Sequence, residues 1–196
     1  MTVGILCESA HDFEVFSVLV QRLLEGKVDI EKFIPYAAES SIVGKLEAAS
    51  VRFFKGYLNE PDVADFAVYF SDLDRSPDKK QQIIQWVNAH RETYPERIIV
   101  SAFASPHFES WFFEEGDCLH AVMPDLPADI PYPDCEPKER LRRIENKYAD
   151  ITKSSKEIHI ELAQKVNLNS LKIRSQEFNA FANDLLTAVR ATQNLS

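Results

Sequence analysis

Apolar residues fall along the chain in short continuous runs, each followed by a stretch in which they recur at three- and four-residue spacing. VGILC (3–7) is such a run; after it Phe13, Phe16, Leu19, Val20 and Leu23 share a helical face, and Gly26 supplies a stop. IEKFIPYAAES (30–40) holds a second strand signal weakened by Pro35, and SSIVGKLEAASVRFFKGYL (40–58) has helical composition despite Gly44. DFAVYFS and then RSPDKKQQIIQWVNAHRETYP repeat the unit, with Ser76 as N-cap, Pro77 at the first helical position, and Ile83, Trp86 and Val87 on one face. RIIVSAFA (97–104) makes a fourth strand, and ESWFFEEGDCLHAVM (109–123) a helix. Strands that are continuously apolar and separated by helices predict a parallel sheet covered on both faces.

The pattern changes after Met123. PDLPADIPYPDCEP (124–137) carries five of the ten prolines, which favours an extended connector leaving an α/β domain of residues 1–123. The remainder, 138–196, reads as a helical extension packed on the core. Leu141, Ile144 and Tyr148 form one stripe, and Phe178, Phe181, Ala182, Leu185, Leu186 and Val189 another behind Ser175 as cap.

Composition narrows the picture. A chain of 196 residues with 45% hydrophobic content can bury a substantial core. MTVGILCE lacks the basic segment of a signal peptide, and no apolar stretch approaches the ~20 residues that span a bilayer, so a soluble, cytoplasmic protein with no membrane partner is expected. Cys7, Cys118 and Cys135 are odd in number and far apart, which encodes neither a disulfide framework nor a zinc knuckle; they read as small buried hydrophobes. The net charge of −9 opposes a surface that coats nucleic acid. One basic island stands out: residues 138–156 hold seven Lys or Arg against three Asp or Glu.

Chemistry concentrates at the ends of the strands. In open parallel sheets, ligands gather beyond the carboxyl ends, where neighbouring crossovers leave to opposite sides. Glu8 follows the first strand, and Asp72 and Asp74 end the third. If those strands are neighbours, three carboxylates converge, and oxygen-only ligands suit Mg²⁺ or Mn²⁺. Acidic residues that merely cap helix N-termini are the competing reading. No glycine-rich phosphate loop is present, which argues against unaided ATP hydrolysis.

Glu8 in GILCES and the pair in SDLD resemble the TOPRIM (topoisomerase-primase) signature of one glutamate and an Asp-x-Asp pair. More specifically, ESAHD (8–12), PHFESWFF (106–113), EPKERL (136–141) and SQEF (175–178) make nearly the whole chain similar to stand-alone bacterial TOPRIM-like proteins, which are often associated with defence ATPases. Ser9 stands where that family usually has glycine, and His11 and Asp12 where Thr-Glu is expected. The resemblance implies a TOPRIM-like Rossmannoid core, a mainly parallel four-stranded sheet between helices. It also implies Mg²⁺- or Mn²⁺-assisted phosphoryl transfer or phosphodiester cleavage on DNA or RNA. Asp72 and Asp74 would hold the ion, with Glu8 as general acid, base or third ligand. Glu109 would serve a second metal or cap its helix; His107 would order a water or phosphate; Arg75, Lys138, Arg142 and Arg143 would contact the phosphate backbone, the competing reading being a solvated charged face. Trp111 reads as core.

Two other functions remain open. YFSDLDRS also resembles the Asp-x-Asp-x-Ser/Thr start of haloacid-dehalogenase-type phosphatases, where the first aspartate is the nucleophile. That motif usually opens the chain; here it falls at residue 72, no later Asp-Asp pair follows, and Glu8 is left without a role. The second alternative is a non-catalytic or conditionally active partner-binding module of an ATPase, to which an acidic surface is suited.

Overall fold

The computed structural model describes residues 1–7, 9–33, 64–74 and 76–195. Glu8, Arg75 and the helix expected over 40–58 therefore lie outside the described residues. In chain order the elements are β1 (Thr2–Leu6), α1 (Ala10–Leu23), β2 (Asp29–Phe33), β3 (Phe66–Asp72), α2 (Pro77–Thr93) and β4 (Ile99–Ala104). There follow α3 (Glu109–Glu115), α4 (Asp117–Val122), α5 (Pro137–Tyr148), α6 (Ser155–Lys165), α7 (Leu168–Arg174) and α8 (Gln176–Leu195).

The four strands form one parallel sheet in the order β2-β1-β3-β4. Leu6 of β1 stands opposite Tyr69 of β3, and Asp72 of β3 opposite Ala104 of β4, so the three carboxyl ends open on the same edge. The chain steps from β1 one way to β2, and β3 then lies on the other side of β1. The boundary between β1 and β3 is thus the topological switch point, where the polar loops are free to form a crevice.

Alternation of side chains divides the core into two layers. Val3, Ile5, Phe66, Val68, Phe70, Val100 and Ala102 face α1, where Phe16 stacks on Phe70 at 4.3 Å between centroids. Ala67, Tyr69, Ile99 and Phe103 face Ile83 and Val87 of α2. The layer on the α1 side also takes in Trp111, Leu141, Ile144, Ile158, Leu162, Phe178, Phe181 and Leu185, so the C-terminal helices share the core of the sheet. Trp111, 1% exposed, packs between Phe70 and Phe178 and is core, as its setting in the sequence suggests. Helix α8 lies along the edge strand β4, and α6 along α1.

Local chemistry explains the boundaries. Ser76 accepts a hydrogen bond from the Lys79 N–H at 3.3 Å and Ser175 from the Phe178 N–H at 3.4 Å, the two expected caps. The turn that closes α1 after Leu23 is completed at Gly26, whose φ of +68° lets its N–H reach back to the Gln21 carbonyl at 2.8 Å. The helix expected over 109–123 is two helices. Gly116 adopts φ +82°, which no α-helix continues through, and its N–H closes α3 on the Phe112 carbonyl. The strand expected from residue 97 begins at Ile99, because Arg97 N–H closes a turn on the Tyr94 carbonyl. The second strand signal, read over 30–40, is the ladder Asp29–Phe33; residues 34–40 lie outside the described ones.

The proline-rich segment is held to the body of the protein. Leu126 is buried, and the Arg140 guanidinium donates to the carbonyls of Ile130 and Pro131 while lying 4.5 Å from the Phe113 ring centroid. Cys7 and Cys118 are buried, but Cys135, in this segment, is half-buried. Among the described residues no helix is long and apolar enough to cross a membrane.

Candidate active site at the carboxyl ends of the strands

A cleft of about 590 Å³ opens at the switch-point edge of the sheet. Its walls come from the start of α1 (Ser9, His11, Asp12), the end of β3 (Asp72, Asp74), the turn between β4 and α3 (His107, Phe108, Glu109), α5 (Lys138, Arg142, Glu145) and α6 (Ser155, His159).

Asp72 is the last residue of the β3 ladder, and its Oδ1 accepts the Phe108 N–H at 2.9 Å, tying β3 to the turn that begins α3. The next two residues keep contact with the neighbouring chain: Leu73 N–H donates to Ala104, and Asp74 N–H to Pro106. Asp74 takes a left-handed backbone, φ +47°, which aspartate tolerates better than most residues. Its carboxylate is held between two nitrogen groups. Oδ2 lies 2.9 Å from Nζ of Lys79, a side chain only 8% exposed, and Oδ1 lies 3.1 Å from Nε2 of His107. Lys79 Nζ also donates to the main-chain carbonyl of Asp72. A buried ammonium group needs such partners, because desolvation of an unpaired charge costs several kcal/mol.

Glu109 is the unsatisfied member. It is 3% exposed, and its Oε2 has no hydrogen-bond partner among the described residues. Burial pushes its carboxyl above the ordinary range; a bond to its own N–H and the nearby His159, Lys138 and His107 oppose that shift. The N-cap of α3 is Phe108, which makes no side-chain capping bond; the Glu109 carboxyl bonds its own N–H in the first turn of the helix and also lines the cleft. His107 Nδ1 is likewise buried without a partner among the described residues.

The basic island divides. Lys138 and Arg142 line the cleft, whereas Arg143 does not: its guanidinium pairs with Glu139 at 2.7 Å and lies 5.7 Å from the Tyr132 ring centroid. Arg142 also binds Glu139, through both carboxylate oxygens at 2.9 Å. With these side chains exposed, such pairs add little stability, and Arg142 is available to exchange Glu139 for another anion.

Sequence reasoning missed a third group. His159 Nε2 lies 2.6 Å from Glu145 Oε1, and His159 Nδ1 lies 2.8 Å from His11 Nε2. Ser155 Oγ donates to the other oxygen of Glu145 at 2.7 Å. Glu145 and His159 are 9% and 6% exposed. The signal was spacing: Glu145 follows Leu141 by four and His159 precedes Leu162 by three, which sets both polar residues on apolar helix faces.

Of the expected site residues, Asp72, Asp74, His107, Glu109, Lys138 and Arg142 come together, Arg143 stays outside, and Glu8 and Arg75 lie outside the described residues. Among the described residues no group of three His, Cys, Asp or Glu side chains forms a ready cage for an ion. The expected trio includes Glu8, which follows a strand that does pair with β3. No protein-family model matches the chain, and no curated protein matches it.

Proposed function

We propose that this protein is a Mg²⁺- or Mn²⁺-dependent phosphodiesterase acting on nucleic acid, with the cleft at the switch point as its active site. The observation that carries this reading is the meeting of Asp72, Asp74 and Glu109 with Lys138 and Arg142 in one cleft beyond adjacent parallel strands. Carboxylates on one wall suit a hard cation, and the two basic side chains on another suit a phosphate. The TOPRIM-like pattern of Glu8, Asp72 and Asp74 supports the same assignment.

Oxygen-only donors of this kind suit such an ion by their chemistry. Asp72 and Asp74 supply carboxylates, and Glu8 adjoins Ser9, which lines the cleft. A bound divalent ion would polarise the phosphate and lower the pKa of a coordinated water. The rest belongs to the chain. Lys138 and Arg142 orient the phosphate by charge and hydrogen bonding. Lys79 and His107 hold the Asp74 carboxylate at the rim, while the Phe108 N–H fixes Asp72. Purified protein should cleave DNA or RNA in Mn²⁺ or Mg²⁺ and stop in EDTA, and Glu8→Ala from a matched preparation should lose turnover but keep its fold. Equal cleavage by both proteins refutes the proposal.

One observation favours a second reading. Both Asp74 oxygens are already engaged by Lys79 and His107, an arrangement suited to a site kept inactive until a partner ATPase rearranges it. Cleavage that appears only with such a partner would select that reading.

A further inference from the structure

Glu145, His159 and His11 come from three different helices and meet as one hydrogen-bonded line along the wall of the cleft. Donor chemistry sets its polarity. A carboxylate oxygen only accepts, so the 2.6 Å contact places the proton on His159 Nε2, and Ser155 donating to the second oxygen keeps the carboxylate turned that way. A neutral His159 then offers a lone pair at Nδ1, so the 2.8 Å contact places the proton of His11 on Nε2. Neutral His11 is left with an unprotonated Nδ1.

From this geometry we infer that His11 is the proton acceptor of the cleft, with His159 and Glu145 as the residues that set its tautomer and receive the positive charge it gains. The inference rests on the phosphodiesterase reading and adds to it the identity of the general base. The attacking water gives one proton to His11 Nδ1 as its oxygen bonds to phosphorus. The bond from phosphorus to the leaving oxygen breaks with its electron pair, and that oxygen takes a proton from solvent. The imidazolium is stabilised by passing its Nε2 proton toward His159 Nδ1, next to the Glu145 carboxylate, and later returns a proton to solvent.

The surroundings suit a base that is neutral before it acts. His11 is in the first turn of α1, where the helix dipole disfavours imidazolium. Burial and His159 of α6 hold His11 below its ordinary 6.5, and Lys138 of α5 adds to this, while Asp12 of α1 and Glu145 of α5 oppose it. The β4–α3 turn sets the uncharged ring of Phe108 against His11, 6.0 Å between centroids, and brings the titratable His107 and Glu109 to the same cleft. A network with a purely structural role would hold the same tautomers, because the carboxylate sets them, but its loss in a folded variant would leave the pH profile of cleavage unmoved.

The test has two arms. Nitrogen-15 NMR of the metal-free full chain at pH 8 should show both His159 and His11 protonated on Nε2; a His11 protonated on Nδ1 overturns the inference. In the second arm, the pH profile of Mn²⁺-dependent cleavage should show an acid limb that His11→Ala removes. Glu145→Gln should lower kcat by about 100-fold with little change in KM and move the limb to lower pH, because the charge that favours imidazolium is gone. A limb unmoved by Glu145→Gln in a folded protein overturns the inference. Wild-type protein that cleaves at no pH refutes the phosphodiesterase reading instead, and the nitrogen spectra still decide the tautomers.

Discussion

Replacing Glu109 with glutamine should stabilise the protein at neutral pH while damaging its activity. The carboxyl is 3% exposed, has an oxygen without a partner among the described residues, and is pushed up in pKa chiefly by burial. A raised native pKa means that the folded state holds the proton more tightly than the unfolded chain does. The stability this provides is therefore present below the ordinary value of 4.5 and lost as the pH rises through the native value. Glutamine has nearly the same shape and never ionises. Leaving a buried polar group unsatisfied costs about 1 to 3 kcal/mol, and the lower end applies because the glutamine amide inherits part of the unmet hydrogen bonding. For a chain of this size, about 1 kcal/mol corresponds to about 2 to 4 °C in Tm. Thermal unfolding of both proteins from pH 4 to 8 is the assay. Glu109→Gln should gain on the wild type as pH rises from about 4.5, with the difference shrinking at pH 4. A variant less stable than the wild type at pH 7 would show that the ionised carboxyl is a satisfied structural group, and would refute the idea that this burial is a cost tolerated for function.

Other expectations follow from the same geometry. Mg²⁺ or Mn²⁺ at 100 times its Kd should add about 2.7 kcal/mol to the stability of the wild type, and Asp72→Asn should abolish that response in a thermal-shift titration; an unchanged response moves the ion elsewhere. Lys138→Ala and Arg142→Ala should each weaken nucleic-acid binding and flatten its log–log dependence on salt by up to about 0.9, whereas Arg143→Ala, outside the cleft, should leave both unchanged in a fluorescence-anisotropy assay. Trp111→Ala should cost about 3 to 5 kcal/mol by urea denaturation, since it empties the space between Phe70 and Phe178; a loss below about 1 kcal/mol would contradict its place in the core.

What the sequence by itself determined is what depends on near neighbours. Continuous apolar runs such as FAVYF, helical stripes such as that of Phe178 to Leu185, and the caps Ser76 and Ser175 follow from side-chain period and local hydrogen bonding, and they place Asp72 and Asp74 at a strand end. They also define the α/β class, because strands with no polar face must be covered on both sides. The break of the 109–123 helix at Gly116 was harder to read, since a single glycine is compatible with a helix until its backbone turns left-handed.

Tertiary structure alone decided which polar groups meet. The pairing of β1 with β3 is a matter of crossover packing, and it brings the strand ends to one edge. Lys138 and Arg143 are five residues apart on one helix, yet only Lys138 enters the cleft, because the rotation of α5 is set by Leu141 and Ile144 in the core. His11 and His159 are separated by 148 positions and Glu145 by another route from both, so no local spacing links them. Their meeting depends on how α1, α5 and α6 pack. Burial then gives that meeting its chemistry, by withdrawing water and leaving each polar atom to the partner that packing provides.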